Sequence, residues 1–529
     1  MIAAATTVIT AAGEHRRTGK VGGSMLLAAV TAATAATLLV TGNPLYALLP
    51  VCVSIAAWGV LASPLRWTFL AFLALVILAD VAPRDLAGDG LSVWQSPVYP
   101  LQLFLLDNLD KATGIAALRF SGAEVLLVLM ALLAVSRTVS GRTVDRVGRI
   151  PGASPIAAAL ALALVTVVIW EAWGTARGGD VRQSLWQFRQ LLWLPVVTAL
   201  LTYALRGPRD FGALVWVVTI TACAKVAIGL YYYFAIARPA NVKPPTVTSH
   251  SDSVLFVAVI VMWAALAVYR PTPGRLAIGT TVSAWMLLGM IINNRRTAFV
   301  GLIAAFAVLF VMLPTTTRRT IARAALCCLP LFGAYLFAGR HRSTGFFAPA
   351  ASILSVTEQT DASSATRDIE NYNLLVTLKQ HMILGSGWGH EYVEVSKAYD
   401  ISHIFAQYRY IAHNSVLWLW SLLGLVGFTG VWLPHGVATF LAARSHRHAR
   451  TGDERAAAFA VIAIIVTFAV QAWADMGTQA WTCVLLLACA FAASGKLATA
   501  TNAWPSDIRL IRLSRQQSRS WPGAAGARR

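Results

Sequence analysis

The sequence predicts an all-α polytopic membrane protein, a bundle of about 12–14 transmembrane helices with one large, partly helical outer loop. Hydrophobic residues make up 57% of the 529-residue chain and charged residues only 12%, with a mean hydropathy of +0.63. A water-soluble protein carries about twice as much charge. Apolar stretches of about 20 residues recur along the chain, which is the length of a spanning helix rather than of a barrel strand.

The composition excludes three other classes of protein. Disordered chains and collagens are excluded because apolar residues dominate while glycine and proline stay at ordinary levels. A disulfide-stabilised secreted scaffold is excluded because six cysteines in 529 residues are sparse. All six fall within predicted spans, which favours small core residues over a disulfide or metal framework. They are Cys52, Cys223, Cys327, Cys328, Cys483 and Cys489.

About 14 spans are predicted between breaks that contain charges, glycine or proline. They lie near residues 21–40, 45–62, 66–80, 120–136, 155–173, 190–205, 211–236, 254–269, 276–292, 297–313, 324–337, 414–437, 456–474 and 477–494. We expect residues 1–337 to form the N-terminal part of the bundle, with about 11 spans, and residues 338–413 to form a large extracytoplasmic loop. Residues 414–495 are expected to add about three spans, and residues 496–529 to form a basic cytoplasmic tail.

The positions of lysine and arginine predict the orientation of the spans, because these residues are retained on the cytoplasmic side. Six short basic connections are assigned to the cytoplasm, together with both termini. They begin at Arg66, Arg137, Arg206, Arg270, Arg318 and Arg444. The net charge of +20 then faces anionic lipid at the inner surface, and no nucleic-acid partner is needed to explain it. The basic cluster at residues 15–20 is expected to precede a first span rather than to belong to a cleaved signal peptide.

The outer loop of residues 338–413 contains a helix-forming segment followed by a glycine-rich turn. Apolar residues recur at helical spacing over residues 369–382, which predicts a helix from Arg367 on the membrane surface or the outer rim of the bundle. The turn GSGWG either ends this helix or brings backbone N–H groups to an anion, and composition alone favours the helix-ending role. Its glycines are Gly385, Gly387 and Gly389.

His413 and Asn414 lie at the beginning of the next span, in the sequence AHNSVLWLW. The positive end of the helix dipole disfavours a charged imidazole, so we expect His413 to stay neutral and able to accept a proton. It is therefore the candidate catalytic base. The alternative is that both residues are polar caps at the membrane interface.

Arg295 and Arg296 lie in a short outer turn between two apolar stretches, where positive residues are disfavoured. Two adjacent guanidinium groups suit bidentate binding of phosphate. The alternative is that they pair with carboxylates at the outer ends of other spans. Those carboxylates are Asp80, Glu124, Glu171 and Asp475.

Four further residues are weaker candidates for substrate binding. His250 and Asp252 precede a span and either bind substrate or cap the helix, of which capping is favoured. Arg189 either joins an anion site or is solvated. Lys225 lies about mid-span, where an ionisable group is costly and usually functional. It either pairs with a buried carboxylate, contacts a lipid phosphate or serves transport.

Three segments together resemble the O-antigen ligase and polymerase family of bacterial membrane glycosyltransferases. They are RRTAFVG after a span, the external segment RDIENYNLLVTLKQHMILGSGWGHEY, and AHNSVLWLWSLLGLVGF at the start of the next span. The ordered set covers residues 290–430, whereas the N-terminal half resembles the family only as a helical bundle.

The resemblance implies an inverting transferase that needs neither a metal ion nor a cofactor. Such proteins take a glycan from a polyprenyl diphosphate carrier at the outer face of the bacterial cytoplasmic membrane and join it to a sugar hydroxyl of a glycan or glycolipid acceptor. Arg296 matches the family's arginine after the span, His413 its histidine, and Arg367 an arginine ahead of the glycine turn. Arg295 and Arg367 are expected to help Arg296 hold the diphosphate while His413 removes the acceptor proton.

The expected partners are the donor, the acceptor, the bilayer and other membrane proteins of polysaccharide assembly. A multi-pass transporter or flippase of lipid-linked glycans is the main alternative, suggested by the span count and Lys225, and a midplane substrate site would mark it. A non-catalytic scaffold for envelope assembly is a third possibility, but it leaves Arg295, Arg296 and His413 without a purpose.

Overall fold

A computed structural model gives the structure of the chain and describes residues 28–39, 42, 49–80, 97–113, 118–140, 148–241, 246–293, 295–340, 347, 350, 362–397 and 407–504. Within these ranges the regular structure is helical, with no strand and a single isolated bridge between Asn108 and Ser121. The protein is thus an all-α polytopic membrane protein, as the sequence predicts. The basic cluster at residues 15–20 and the tail beyond residue 504 lie outside the described residues.

A helix occupies each of the predicted spans. In chain order the helices are α1 (Ala28–Leu39), α2 (Leu49–Ala62), α3 (Leu65–Ala79), α4 (Gly122–Val139), α5 (Ser154–Ala176), α6 (Val181–Ala204), α7 (Phe211–Tyr231), α8 (Asp252–Tyr269), α9 (Pro273–Asn293), α10 (Arg296–Met312), α11 (Thr315–Gly339), α12 (Ala362–Gln380), α13 (Ser415–His448), α14 (Gly452–Ala474) and α15 (Trp481–Ala500). Two short helices, Tyr99–Leu105 and Leu109–Thr113, precede α4.

Nine helical stretches of the described chain are long and apolar enough to cross a membrane. Of the other predicted spans, α1, α2, α3 and α10 have fewer than 18 residues, and α6 is long enough but polar in its first half. A helix can end short of the full bilayer thickness where neighbouring helices or snorkelling side chains cover its ends.

The chain divides into two compact units, residues 1–68 and residues 69–529. The first unit contains α1, α2 and the beginning of α3. In the second unit α15 is almost completely buried, and α8 and α14 are mostly buried, so these three helices form its centre. Around them, α13 packs against α5, α14 and α15, while α6 packs against α15. Alanine, cysteine and glycine recur along α15, which allows neighbouring helices to approach closely.

A break in α13 admits the end of the outer loop into the bundle. Gly424 has φ +62° and ψ −177°, so the helix is interrupted there. The N–H group of Leu425, next to the break, donates to the carbonyl of Met382 at 2.9 Å instead of to a carbonyl of its own helix. Irregular backbone inside a membrane bundle requires such partners, because no water is present to supply them.

The loop helix α12 differs from its predicted form in two respects. It begins at Ala362 rather than at Arg367, because the preceding alanine and serine residues are compatible with a helix. Its apolar residues Tyr372 and Leu375 are exposed, and the buried face is instead largely polar. That polar face positions the candidate active site.

Candidate active site

His413 is held by a carboxylate from the outer loop. Its Nδ1 lies 3.0 Å from Glu370 Oε2, and its backbone N–H donates to the same oxygen at 3.1 Å. Because a carboxylate only accepts hydrogen bonds, Nδ1 carries a proton, and in the neutral imidazole Nε2 then presents a lone pair. Glu370 is 5% exposed, whereas the His413 side chain is 25% exposed. Glu370 therefore fixes the imidazole ring, while Nε2 makes no hydrogen bond with the residues that the structure describes.

The polar face of α12 anchors the loop that leads toward His413. Asn373 is completely buried, and its Oδ1 accepts hydrogen bonds from the backbone N–H groups of Val395 and Ser396, each at 3.0 Å. The Thr377 hydroxyl accepts from Val393 N–H at 2.8 Å. Glu370, one turn earlier on the same face, is thereby held against the beginning of α13.

Asp475 forms a second polar centre, immediately after α14. Its Oδ2 lies 3.1 Å from His250 Nδ1. Burial is the largest single effect on the Asp475 carboxyl and would raise its pKa, but the hydrogen bond from His250, the charge of His250 and other nearby charges together outweigh burial and hold that pKa below its usual value. Arg295 and His413 lie close enough to lower it further. Asp475 therefore brings His250, Arg295 and His413 into one electrostatic neighbourhood.

A buried asparagine at the end of α9 positions the segment that carries His250. Asn293 Oδ1 accepts from the N–H groups of Val247 and Thr248 at 3.2 and 3.0 Å, and Nδ2 donates to Ser249 O at 3.3 Å. Arg295 occupies the N-cap position of α10 two residues later, so the same turn places both His250 and a guanidinium group.

The two remaining predicted arginines lie on α10 and α12, close in the chain to Arg295 and Glu370. Arg296 is the first residue of α10. Arg367 lies three residues before Glu370 on α12, and its Nε is buried without a hydrogen-bond partner in the described part of the chain. Asn414 caps α13, where its Oδ1 accepts from Leu417 N–H at 3.1 Å. The capping role that the sequence allowed for Asn414 is thus present.

Residues 281–431 match the family model described as O-antigen ligase. This segment is similar to the O-antigen ligase family. The match confirms the resemblance given by the three sequence motifs, and it supports a membrane glycosyltransferase of the ligase or polymerase type. The comparison with curated proteins finds no match.

The O-antigen ligase segment contributes most of the candidate site. It contains Arg295, Arg296, Arg367 and the pair Glu370 and His413. His250, which precedes α8, and Asp475, which follows α14, lie outside the matched residues. In the described part of the chain, no three histidine, cysteine, aspartate or glutamate side chains are placed to hold a metal ion.

Lys225 and Asp252 form a buried ion pair beside this centre. Their Nζ and Oδ1 atoms are 2.9 Å apart, with side chains 3% and 0% exposed. Lys225 also donates to the backbone carbonyl of Asp80. The Asp80 carboxylate accepts from Ser251 at 2.7 Å and from Thr482 at 2.8 Å. Lys225 thus has the buried carboxylate partner that was one of the sequence alternatives, and the network holds the residue that follows His250.

Arg189 lies in a different network. Its guanidinium binds both oxygens of Glu124, and its Nη1 donates to Asn108 Oδ1 at 2.9 Å. Trp193 Nε1 donates to Glu124 at 2.7 Å. Glu124 is thus paired with Arg189. It is not the carboxylate partner of Arg295 and Arg296 that was one of the sequence alternatives.

The glycine turn of the O-antigen ligase segment packs against α5 and α13. Every backbone N–H from Gly385 to Gly389 donates to an oxygen of the protein, at 2.6–3.4 Å. A Cβ atom on Gly387, where φ is +90°, would lie 2.4 Å from Gly174 Cα. These contacts leave no N–H group of the turn for an anion, so its glycines serve close packing around the buried Trp388.

Gln187 on α6 is a residue that sequence analysis missed. It is completely buried, its Nε2 donates to the carbonyls of His390 and Tyr410 at 3.1 and 2.8 Å, and its Oε1 accepts from Gly389 N–H at 2.6 Å. One amide thus joins the glycine turn to the backbone three residues before His413. A single glutamine just before a predicted span carries no distinctive motif, so only the fold reveals this role.

Proposed function

We propose that the protein is an inverting glycosyltransferase of the bacterial cytoplasmic membrane. It transfers a glycan from a polyprenyl diphosphate carrier to a sugar hydroxyl of an acceptor at the outer face, as a polymerase or ligase of cell-surface polysaccharide. The observation that carries the proposal is the pair of His413 and Glu370, with Arg295 in the same electrostatic neighbourhood. The family match of residues 281–431 supports the reaction class.

His413 acts as the general base in this reaction. Its Nε2 takes the proton of the acceptor hydroxyl while the oxygen attacks the anomeric carbon from the face opposite the diphosphate, which inverts the configuration. Nδ1–H stays bonded to Glu370, whose carboxylate stabilises the imidazolium ion that forms. Glu370 is therefore a positioning residue, and the imidazolium later loses its proton to water.

The arginines act on the leaving group. As the bond from the anomeric carbon to the diphosphate oxygen breaks, the polyprenyl diphosphate departs with the electron pair and gains negative charge. Arg296, helped by Arg295 or Arg367, stabilises this charge in an environment of low dielectric, where fixed cations are most effective. In this scheme the guanidinium groups supply the charge stabilisation, so no step requires a metal ion.

A reconstituted assay tests the proposal. The full chain in liposomes is supplied with a polyprenyl diphosphate-linked glycan and an acceptor, and the glycosylated product is measured. His413→Ala and Arg296→Ala should each abolish product while the protein keeps its thermal unfolding profile. His448→Ala and Arg447→Ala are matched controls, because both side chains are exposed at the far end of α13. They should retain full activity.

Two outcomes would overturn the proposal. Unchanged product from both site variants would remove the mechanism. Movement of labelled carrier lipid across the bilayer without formation of a glycosidic bond would instead favour the transporter or flippase.

A further inference from the structure

A groove lies between α4, α6 and the segment that precedes α4. Its volume is about 1280 Å³, which is large enough for a lipid rather than for a single sugar. Leu164 of α5 closes it on one side. The walls are mainly apolar, and several of their side chains are exposed, among them Val128, Leu129 and Leu185. We call this space the lateral groove.

The charged residues of the lateral groove lie together near the N-terminal ends of its two helices. Lys111 and Arg119 precede α4, and Arg182 lies in the first turn of α6. Farther along α6 the lining becomes apolar, with Leu192 and Val196. The groove therefore has a cationic mouth and an apolar body, which is the distribution of charge that complements a lipid with an anionic headgroup.

Two cations at the mouth are available to a ligand. The side chains of Arg119 and Arg182 are exposed and make no hydrogen bond or ion pair with the residues that the structure describes. Arg189, deeper in the groove, is instead neutralised by Glu124. The residues that line the groove include more cations than carboxylates. The two carboxylates are Glu124 and Asp110, and the four cations are Lys111, Arg119, Arg182 and Arg189. A headgroup phosphate would find guanidinium donors there without displacing an existing partner.

The lateral groove is separated from the candidate active site by α6. Arg182, Leu185 and Arg189 line the groove. Gln187 instead contacts the backbone at His390 and Tyr410, on the side of the His413 loop. A lipid in the groove would thus lie across one helix from the reaction centre, and its site does not coincide with the site proposed for the donor diphosphate.

We propose that the lateral groove binds one anionic phospholipid, with its phosphate between Arg119 and Arg182 and its acyl chains along the apolar walls. This proposal does not depend on the transferase reaction. Both lipid classes offer the same phosphate, but the cationic choline group of a zwitterionic phospholipid would be repelled by the two guanidinium groups. We therefore expect about a tenfold preference for an anionic over a zwitterionic phospholipid of the same chain length.

Native mass spectrometry of the full chain, purified in detergent and titrated with phosphatidylglycerol or phosphatidylcholine, tests this assignment. Wild type should retain phosphatidylglycerol about tenfold more tightly, and the double variant R119Q/R182Q should lose that preference. The double variant R447Q/R450Q removes two exposed cations elsewhere and should retain it. Equal retention of the two lipids by wild type, or an unchanged preference in R119Q/R182Q, would refute the proposal.

A third titration, with polyprenyl phosphate, identifies the occupant. If R119Q/R182Q loses retention of polyprenyl phosphate while retention of phosphatidylglycerol stays the same, the groove is a site for a carrier lipid and our assignment is wrong. If only phosphatidylglycerol responds, the assignment stands.

Discussion

Glu370→Gln removes the negative charge that faces His413 while keeping the size of the side chain. In the structure Glu370 Oε2 accepts two N–H groups of His413, at 3.0 and 3.1 Å. A hydrogen bond to a charged group contributes about 1.5–3 kcal/mol. Since about 1.4 kcal/mol is tenfold in rate, the variant should lose roughly ten- to a hundredfold in kcat. The loss should fall on kcat rather than KM, because the imidazolium ion forms only during the reaction.

The assay is the liposome transfer reaction with the donor concentration varied, so that kcat and KM are obtained separately. Glu370→Asp retains the charge and should recover part of the lost rate, which a purely structural role would not predict. Glu391→Gln is the matched control, because Glu391 pairs with Arg409 at a partly exposed position of the same loop. Transfer by Glu370→Gln at the wild-type kcat would refute the general-base scheme.

Three further predictions concern stability, each measured by thermal unfolding of the purified protein. Gly387→Ala should destabilise the protein far more than Gly178→Ala. Both positions have positive φ, which costs an alanine roughly 1–2 kcal/mol at each site. The added Cβ atom would lie 2.4 Å from a backbone atom at Gly387, whereas it would meet open space at Gly178. The Asp475 carboxyl has a lower pKa in the folded protein than in the unfolded chain, so its ionised form stabilises the fold. This stabilisation is fully present above the usual aspartate pKa of about 3.9 and is lost as the pH falls toward the lower pKa of the folded protein. The stability advantage of wild type over Asp475→Asn should therefore shrink below about pH 4. An equal advantage at all pH values would contradict this. Lys225→Met should cost about 3–5 kcal/mol by leaving Asp252 buried and unpaired, and K225M/D252N should recover much of that cost.

Hydropathy predicts the spans well because a membrane helix needs a long apolar sequence regardless of its neighbours. The helices of the structure begin and end within a few residues of most predicted spans, with the largest departures at the end of α13 and at the beginnings of α6 and α11. The loop helix α12 is predicted less well. Its polar residues Glu370, Asn373 and Thr377 recur at the spacing of one helix face. In the sequence that spacing resembles a solvated face, and only the fold shows that it is buried against the loop.

The partners of the candidate site residues could be predicted only in part. The sequence identifies Asp475 as a carboxylate available to Arg295, and the structure brings the two into electrostatic contact. It gives no sign that Glu370 faces His413, because the two residues are 43 positions apart in the sequence. Contacts of that kind depend on where the loop returns to the bundle, which the turn at Gly385 and the break at Gly424 determine together.

In this bundle, the hydrogen-bond partners of the polar side chains distinguish residues that stabilise the structure from residues that can react with a substrate. A buried charge in a membrane protein is costly unless it is paired. Lys225 with Asp252, and Arg189 with Glu124, form pairs that are closed to a ligand, so each stabilises the position of neighbouring residues. His413 is held at one nitrogen, and its second nitrogen makes no hydrogen bond within the described residues. Because the ring is both fixed and partly exposed, the second nitrogen is the one placed to exchange a proton with a substrate hydroxyl.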